Sequence, residues 1–119
     1  MAWSFNGTTA IFVQIADKIR ADILNGVYPP GSQLPTVRAL ALDASVNPNT
    51  MQRAIAYLEE EGIVCSRMTK GVFVADDHML IGIARETMKR EAVSRMLSEL
   101  KRLGVTKHEL LGYIEKEVF

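Results

Sequence analysis

The sequence predicts a mainly α-helical fold with one small β-hairpin, and two patterns of apolar residues indicate this class. In five separate segments the apolar residues recur three or four positions apart, which is the spacing of a helix that buries one side. Between the third and fourth of these segments stand two short runs rich in β-branched residues, separated by a five-residue connection. The predicted order is therefore three helices, a hairpin and two more helices.

Size and composition favour a globular protein that needs no metal or cofactor. Of its 119 residues, 48% are hydrophobic and 24% are charged. The apolar runs are shorter than the roughly 18 residues that span a bilayer, and the N-terminus lacks the basic start of a signal peptide, so we expect a cytoplasmic protein without a membrane partner. Cys65 is the one cysteine, and the two histidines stand at no metal-ligand spacing. We therefore expect no disulfide, metal site or cofactor.

The first helix is predicted to run from Ala10 to Asn25 and to end at Gly26, which suits a left-handed cap. An apolar stripe defines this helix, because its isoleucines recur every four positions. The isoleucines of the stripe are Ile11, Ile15, Ile19 and Ile23. The segment Tyr28–Ser32 contains two prolines, which cannot continue a helix, so it is predicted to be a connecting loop.

Two further helix starts are predicted from capping residues. Thr36, after Pro35, suits the N-cap of a short second helix. The third helix begins at Asn47-Pro48, because asparagine caps the free amides of the first turn and proline fits the next position. Its apolar face consists of Met51, Ala54, Ile55 and Leu58, and Gly62 closes it. Polar residues therefore lie on its other sides, and those near its start are Asn49, Thr50, Gln52 and Arg53.

The predicted hairpin consists of Ile63–Ser66 and Val72–Ala75, joined by Arg67–Gly71. Three helices followed by a hairpin, with a tight turn between the second and third helix, are the order of a winged helix-turn-helix domain, which we predict over residues 1–76. In that fold the third helix enters the major groove of DNA by its N-terminal end. The polar residues near its start could reach base edges and phosphates, although an ordinary solvated face would have the same composition.

The charge distribution bears on this interpretation. Formal net charge is zero, which weighs mildly against a nucleic-acid partner, because neutralising phosphates needs local lysine and arginine. Between Ile23 and Leu58, however, Asp43 is the only acidic residue, whereas Glu59 to Glu61 lie together at the end of the third helix. A locally positive face is therefore compatible with a neutral total charge.

Residues 77–119 are predicted to form a helical dimerisation tail. A long helix runs from about Met79 to Leu103, and a capping box of Thr106 with Glu109 opens a last helix. The apolar side of that last helix is Leu110, Leu111, Ile114 and Val118. The apolar face of the tail is too wide for a solvated surface, so we expect it to pair with a second chain; the alternative is a helix folded wholly back onto its own winged domain. The residues expected to pair two copies are Leu80, Ile83, Ala84, Met88, Met96, Leu97, Leu100, Leu111 and Ile114.

Five segments between Ile11 and Val74 together carry a family resemblance. They read IFVQIADKI (11–19), GVYPPGSQLPTVR (26–38), VNPNTMQRA (46–54), LEEEG (58–62) and GVFV (71–74). In order and spacing they resemble the DNA-binding domain of the GntR family of bacterial regulators. The Asn47-Pro48-Asn49-Thr50 turn and the short helical tail are similar to the YtrA subfamily, whose members bind DNA as dimers through two short C-terminal helices.

The resemblance implies a set of DNA contacts. By matching position, Arg38 of the second helix contacts a base or phosphate, and Thr36 beside it contacts the DNA backbone. Thr50 and Arg53 take the corresponding places on the third helix. Arginine suits a guanine because its planar fork donates twice, to O6 and N7. The remaining candidates on the third helix are Asn49, for a base or phosphate, and Gln52, for an adenine.

The wing departs from the pattern of the family. Thr69 stands where relatives usually carry a glycine, and Val72 stands where they usually carry a threonine. Lys70 and Gly71 remain as the expected wing contacts. Arg67 either touches phosphate or is a solvated strand residue.

Together these observations predict a transcription regulator that binds a pseudo-palindromic operator in double-stranded DNA as a homodimer, and the family resemblance implies repression. An unidentified small-molecule effector could act from the seam between Asp77 and Ile83. No nucleophile stands with a base and no glycine loop could cradle phosphate, so we do not expect an enzyme. The alternatives are a winged-helix module that binds protein instead of DNA, since fold alone does not fix function, and a tail that holds a ligand.

Overall fold

The structure is a computed structural model that describes residues 3–117, and within that range it contains five α-helices and one two-stranded antiparallel sheet. The elements are α1 (Ile11–Leu24), α2 (Val37–Ala44), α3 (Pro48–Glu60), β1 (Val64–Arg67), β2 (Gly71–Val74), α4 (His78–Arg102) and α5 (Lys107–Lys116). The predicted mainly α fold with a small hairpin is confirmed. Met1, Ala2 and Phe119 lie outside the described residues, and so does Val118, which the sequence assigns to the apolar side of the last helix.

The chain divides into two compact units, and the division falls within α4 between Arg85 and Glu86. The first two turns of α4 belong to the N-terminal unit because Ile81 is buried there and Nε of Arg85 donates to the backbone carbonyl of Leu24. The predicted division between a DNA-binding domain (residues 1–76) and a dimerisation tail (77–119) stays a prediction. No helix within residues 3–117 is long and apolar enough to cross a membrane.

The core of the N-terminal unit lies around α3, which packs against both α1 and α2. The apolar stripes predicted for α1 and α3 face this core, and their longest side chains are almost fully buried. The side chains at its centre are Ile15, Ile19, Ile23, Leu40, Met51, Ile55 and Leu58. The polar side chains of α3 consequently lie on the sides of the helix that face away from this core.

Side-chain caps fix three of the helix starts that the sequence predicts. The hydroxyl of Thr36 accepts a hydrogen bond from the amide of Ala39 (3.0 Å), and Oδ1 of Asn47 accepts one from the amide of Asn49 (2.7 Å). At α5 the predicted capping box is present, because Thr106 and Glu109 accept from each other's amides at 3.1 Å. The N-termini of α2 and α3 are thus both formed by short polar residues.

Each strand of the hairpin lies one residue closer to the turn than predicted, so Ile63 and Ala75 fall outside the strands. Arg67 and Gly71 were placed in the connection, but they belong to the strands and pair with each other, so the turn is a single 3₁₀ turn, Met68–Lys70. The strands can extend this far because Gly71 adopts a φ of +113°, which lets the chain enter β2 directly from the turn.

The connector between α1 and α2 pairs with the free side of β2, which the sequence does not predict. Its two prolines indicate a loop, yet residues 31–34 run beside β2. The amide of Gly31 donates to the carbonyl of Val74 (3.1 Å), and the amide of Leu34 donates to that of Val72 (2.9 Å). The amide of Val74 donates in return to the carbonyl of Ser32 (2.8 Å). Backbone hydrogen bonds therefore tie the hairpin to the segment that leads into α2.

Candidate nucleic-acid interface

The N-terminus of α2 presents an exposed arginine beside a capped helix end. Thr36 is exposed, and because its hydroxyl oxygen accepts from the amide of Ala39, its proton remains available for a further acceptor. Arg38 is the second residue of α2 and is also exposed. The positive end of the helix dipole and a guanidinium here favour an anion such as a phosphate.

The N-terminal half of α3 carries the other predicted contacts. Asn49, Gln52 and Arg53 are exposed and Thr50 is half-buried, while the apolar residues between them are fully buried. The structure therefore places all four predicted side chains of this helix outside the core. Hydroxyl, amide and guanidinium groups are the types that hydrogen-bond to base edges and phosphates.

Phe12 supports the arginine of this surface, and the sequence analysis did not assign it a role. The guanidinium carbon of Arg53 lies 4.0 Å from the centre of the Phe12 ring, a cation–π contact between α3 and α1. The ring of Phe12 lies in turn 6.0 Å from that of Tyr57. The only sign of this role in the sequence is that Phe12 is an aromatic residue directly after the first isoleucine of the α1 stripe.

The hairpin presents three further predicted contacts. The guanidinium carbon of Arg67 lies 4.3 Å from the centre of the Phe73 ring, so this exposed arginine is stacked on the neighbouring strand. Lys70 is exposed at the end of the turn, and Gly71 is half-buried directly after it. Arg67, directly before the turn, and Lys70, its last residue, thus place two positive charges at the wing tip.

Nearby carboxylates are occupied by other partners. Arg20 of α1 bonds to Asp17 (2.6 Å) and also to Glu61, which belongs to the acidic cluster after α3. Its partial burial opposes ionisation, but the hydrogen bonds to the two carboxylates outweigh that effect and raise the pKa of Arg20. From the same cluster, Glu59 accepts a hydrogen bond from the amide of Ser66 (2.8 Å).

The acidic residue within the predicted binding region is also occupied. Oδ2 of Asp43 accepts a hydrogen bond from the indole Nε1 of Trp3 (2.8 Å). Within residues 3–117, by contrast, four predicted DNA contacts make no ion pair: Arg38, Arg53, Arg67 and Lys70. A neutral total charge is therefore compatible with basic side chains whose charges remain uncompensated.

In the C-terminal unit the apolar side chains predicted to pair two copies are solvent-accessible. Met96, Leu97, Leu111 and Ile114 are each between 38 and 49% exposed, and Leu100 is half-buried. The ends of α4 and α5 form an apolar groove lined by Leu97, Leu100, Val105, Leu110 and Leu111. Of the other predicted pairing residues, Ile83 is exposed, whereas Leu80, Ala84 and Met88 are half-buried along α4.

A family model for bacterial regulatory proteins of the gntR family matches residues 12–74, more than half of the chain. The chain belongs to the GntR family. A relative, the HTH-type transcriptional repressor YtrA of Bacillus subtilis, is 31% identical over 109 residues, which are 92% of this chain and 79% of YtrA. The predicted YtrA-like resemblance is therefore supported along most of the chain.

Solved structures of DNA-binding regulators agree with this fold. A GntR-family regulator from Listeria monocytogenes matches with a TM-score of 0.89 and 31% identity, covering 96% of this chain and all of the other. The DNA-binding domain of AraR, solved in complex with its operator ORX1, matches with a TM-score of 0.57 and 26% identity, covering 63% of this chain and 96% of that domain. This GntR-family chain therefore has the winged helix-turn-helix fold of transcription regulators.

Proposed function

We propose that this chain is a transcription regulator that binds a specific operator in double-stranded DNA and acts as a cytoplasmic repressor. The observation that carries the proposal is the group of basic side chains on α2, α3 and the hairpin that make no ion pair among the described residues. The repressor role of YtrA and the operator complex of AraR support it by family relationship. This role requires no catalytic group and no cofactor.

Base reading is assigned chiefly to two arginines. Arg38 and Arg53 lie near the starts of α2 and α3 and can each donate two hydrogen bonds to O6 and N7 of a guanine. Gln52 is the candidate for an adenine. The phosphate contacts are assigned to Thr36, Asn49 and Thr50 at the helix starts and to Arg67, Lys70 and Gly71 of the wing.

A homodimer completes the proposed regulator. The exposed apolar side chains of α4 and α5 leave a surface that a second copy would cover, and they include Met96, Leu97 and Leu111. Two copies would place two α3 helices about 34 Å apart, or a multiple of that distance, on successive turns of DNA. The operator is therefore expected to be pseudo-palindromic, and the angle between the copies is where a small-molecule effector would act.

The first experiment is selection of bound sequences from random duplex DNA by the full chain at two salt concentrations, followed by sequencing. The proposal expects an enriched inverted repeat whose half-site spacing matches the helical repeat of DNA. The absence of any enriched sequence, with weak and strongly salt-dependent binding, would contradict operator recognition. It would favour a winged-helix module that binds another protein.

The second experiment tests the arginines on the selected operator. The double variant Arg38→Ala with Arg53→Ala should weaken binding at least about 30-fold, because two bidentate contacts to guanine at about 1 to 3 kcal/mol each contribute at least about 2 kcal/mol. Arg95→Ala with Lys116→Ala is the matched control, since it removes the same net charge from exposed side chains of the C-terminal unit that make no ion pair among the described residues. Equal losses in the two double variants would mean that only overall charge matters.

A further inference from the structure

The side chain of Gln33 reaches the tip of the hairpin from another part of the chain. Its Nε2 donates to the backbone carbonyl of Lys70 at 2.6 Å, across 37 positions of sequence. Lys70 is the last residue of the 3₁₀ turn and has no partner in the strand pairing. The side chain of Gln33 therefore supplies a hydrogen bond to the carbonyl at the end of the turn.

Gly71 makes room for this contact. It has φ +113° and ψ −160°, a conformation that side-chain-bearing residues rarely adopt. A Cβ built at Gly71 would lie 2.7 Å from Nε2 of Gln33. The glutamine amide thus fits against the bare backbone where the turn enters β2.

The backbone around Gln33 links the hairpin to α2. Gln33 forms a β-bridge with Phe73, and its neighbour Leu34 donates to the carbonyl of Val72. Three residues after Gln33, Thr36 caps α2. Gln33 is therefore in contact with the wing tip and is covalently close to the helix that carries Arg38.

We propose that Gln33 is a positioning residue that fixes the tip of the wing, and with it Lys70, relative to α2 on the DNA. This inference rests on the proposed operator binding and adds a residue that does not itself need to touch DNA. The register of the hairpin is already set by backbone hydrogen bonds from β1 and from residues 31–34. Loss of the Gln33 amide should therefore free the turn without unfolding the sheet.

The test is a double-mutant cycle between Gln33 and Lys70, with affinity for the selected operator as the readout. Gln33→Met keeps the length of the side chain and removes its donor, and it should weaken binding about 5-fold, the size expected for loss of one positioned hydrogen bond. In a Lys70→Ala background the same substitution should change affinity less than about 2-fold, because the side chain that Gln33 positions is already absent.

Two matched variants separate positioning from folding. Gln14→Met removes a glutamine that bonds to the N-terminal segment at Asn6 and Thr9, and it should leave operator affinity unchanged at a similar change in melting temperature. Gln33→Asn retains the amide on a shorter side chain that cannot reach Lys70, so it should bind DNA as weakly as Gln33→Met. It serves as the measured variant if Gln33→Met does not fold.

Unchanged affinity in the Gln33 variants would overturn the inference, and so would a full further loss in the Lys70→Ala background, which would mean that Gln33 acts on DNA independently of Lys70. Either result leaves the proposed function in place if the Arg38 and Arg53 double variant still loses binding. If that double variant binds normally, it is the proposed set of DNA contacts that is wrong.

Discussion

The two compact units differ in how far they bury their apolar side chains. The unit that ends at Arg85 buries nine large side chains to below 2% exposure, whereas none of the described residues from 86 to 117 is buried. Yet the helices of the second unit are well formed, and α5 has a complete capping box. Local hydrogen bonding can thus specify a helix whose apolar side has no packing partner within the unit. We expect a second copy of the chain to bury that side.

The largest expected effect is on association through the second unit. Leu97→Asp places a charge in the apolar groove of both copies and should destabilise the dimer by about 5 kcal/mol, from two lost leucine contacts and two buried carboxylates. Sedimentation equilibrium should detect a monomer whose helix content is retained by circular dichroism. Ser98→Asp, at the adjacent exposed position, should remain dimeric. A dimeric Leu97→Asp variant would show that this groove is not the interface.

The next effect concerns the core of the first unit. Ile55→Ala removes a fully buried side chain of α3 and should lower the free energy of unfolding by about 3 kcal/mol, through lost burial and the cavity left behind. Urea denaturation at fixed protein concentration measures it. Leu42→Ala is the control, because Leu42 is 81% exposed and its truncation should cost less than about 0.5 kcal/mol. Similar losses for the two variants would contradict the assignment of the core.

A smaller effect is expected at the wing tip. Gly71→Ala forces a side chain into a conformation that favours glycine and against the Gln33 amide, so it should cost about 2 kcal/mol of stability. Thermal unfolding of Gly71→Ala beside Gly7→Ala checks this, since a Cβ at Gly7 meets nothing within 4 Å. Equal melting temperatures would mean that the turn relaxes without cost.

The smallest effect has the opposite sign. Gly82→Ala lies in α4 within the first unit, and an added Cβ there meets no atom within 4 Å, so it should stabilise the helix by about 0.5 to 1 kcal/mol. It is best measured in the Leu97→Asp background, where a second copy does not contribute to stability. A loss of stability would indicate that the position needs the flexibility or small size of glycine.

The parts of the fold that local chemistry determines could be predicted from the sequence. The first and third helices begin and end within a residue or two of their predicted limits, and the second begins at its predicted cap, because caps such as Thr36 and Asn47 act on amides two or three positions away. The sequence did not predict that residues 31–34 pair with β2, because this pairing joins segments about 40 positions apart. Two prolines nearby gave the opposite local signal.

The candidate site was predictable in its members but not in its supports. Apart from Gly71, the predicted DNA contacts are polar residues at the start of α2, in the N-terminal half of α3 or at the wing, which sequence periodicity and family resemblance both indicate. The contacts of Arg53 with Phe12 and of Gln33 with Lys70 join distant segments, so no local pattern identifies them. The ion pair of Glu61 with Arg20 also joins distant segments. Formal net charge counts such paired carboxylates in full, so it does not show which basic side chains remain unpaired.

At the wing tip, two exposed residues stand on a backbone that is held by a hydrogen bond from Gln33. Met68 is 98% exposed and Thr69 is exposed beside it, while Gly71 and Gln33 secure the backbone on which they stand. Substitutions at exposed positions usually change stability little. In evolutionary terms, Met68 and Thr69 can therefore diverge while Gly71 and Gln33 are kept. New binding preferences can arise at these two positions without loss of the folded domain.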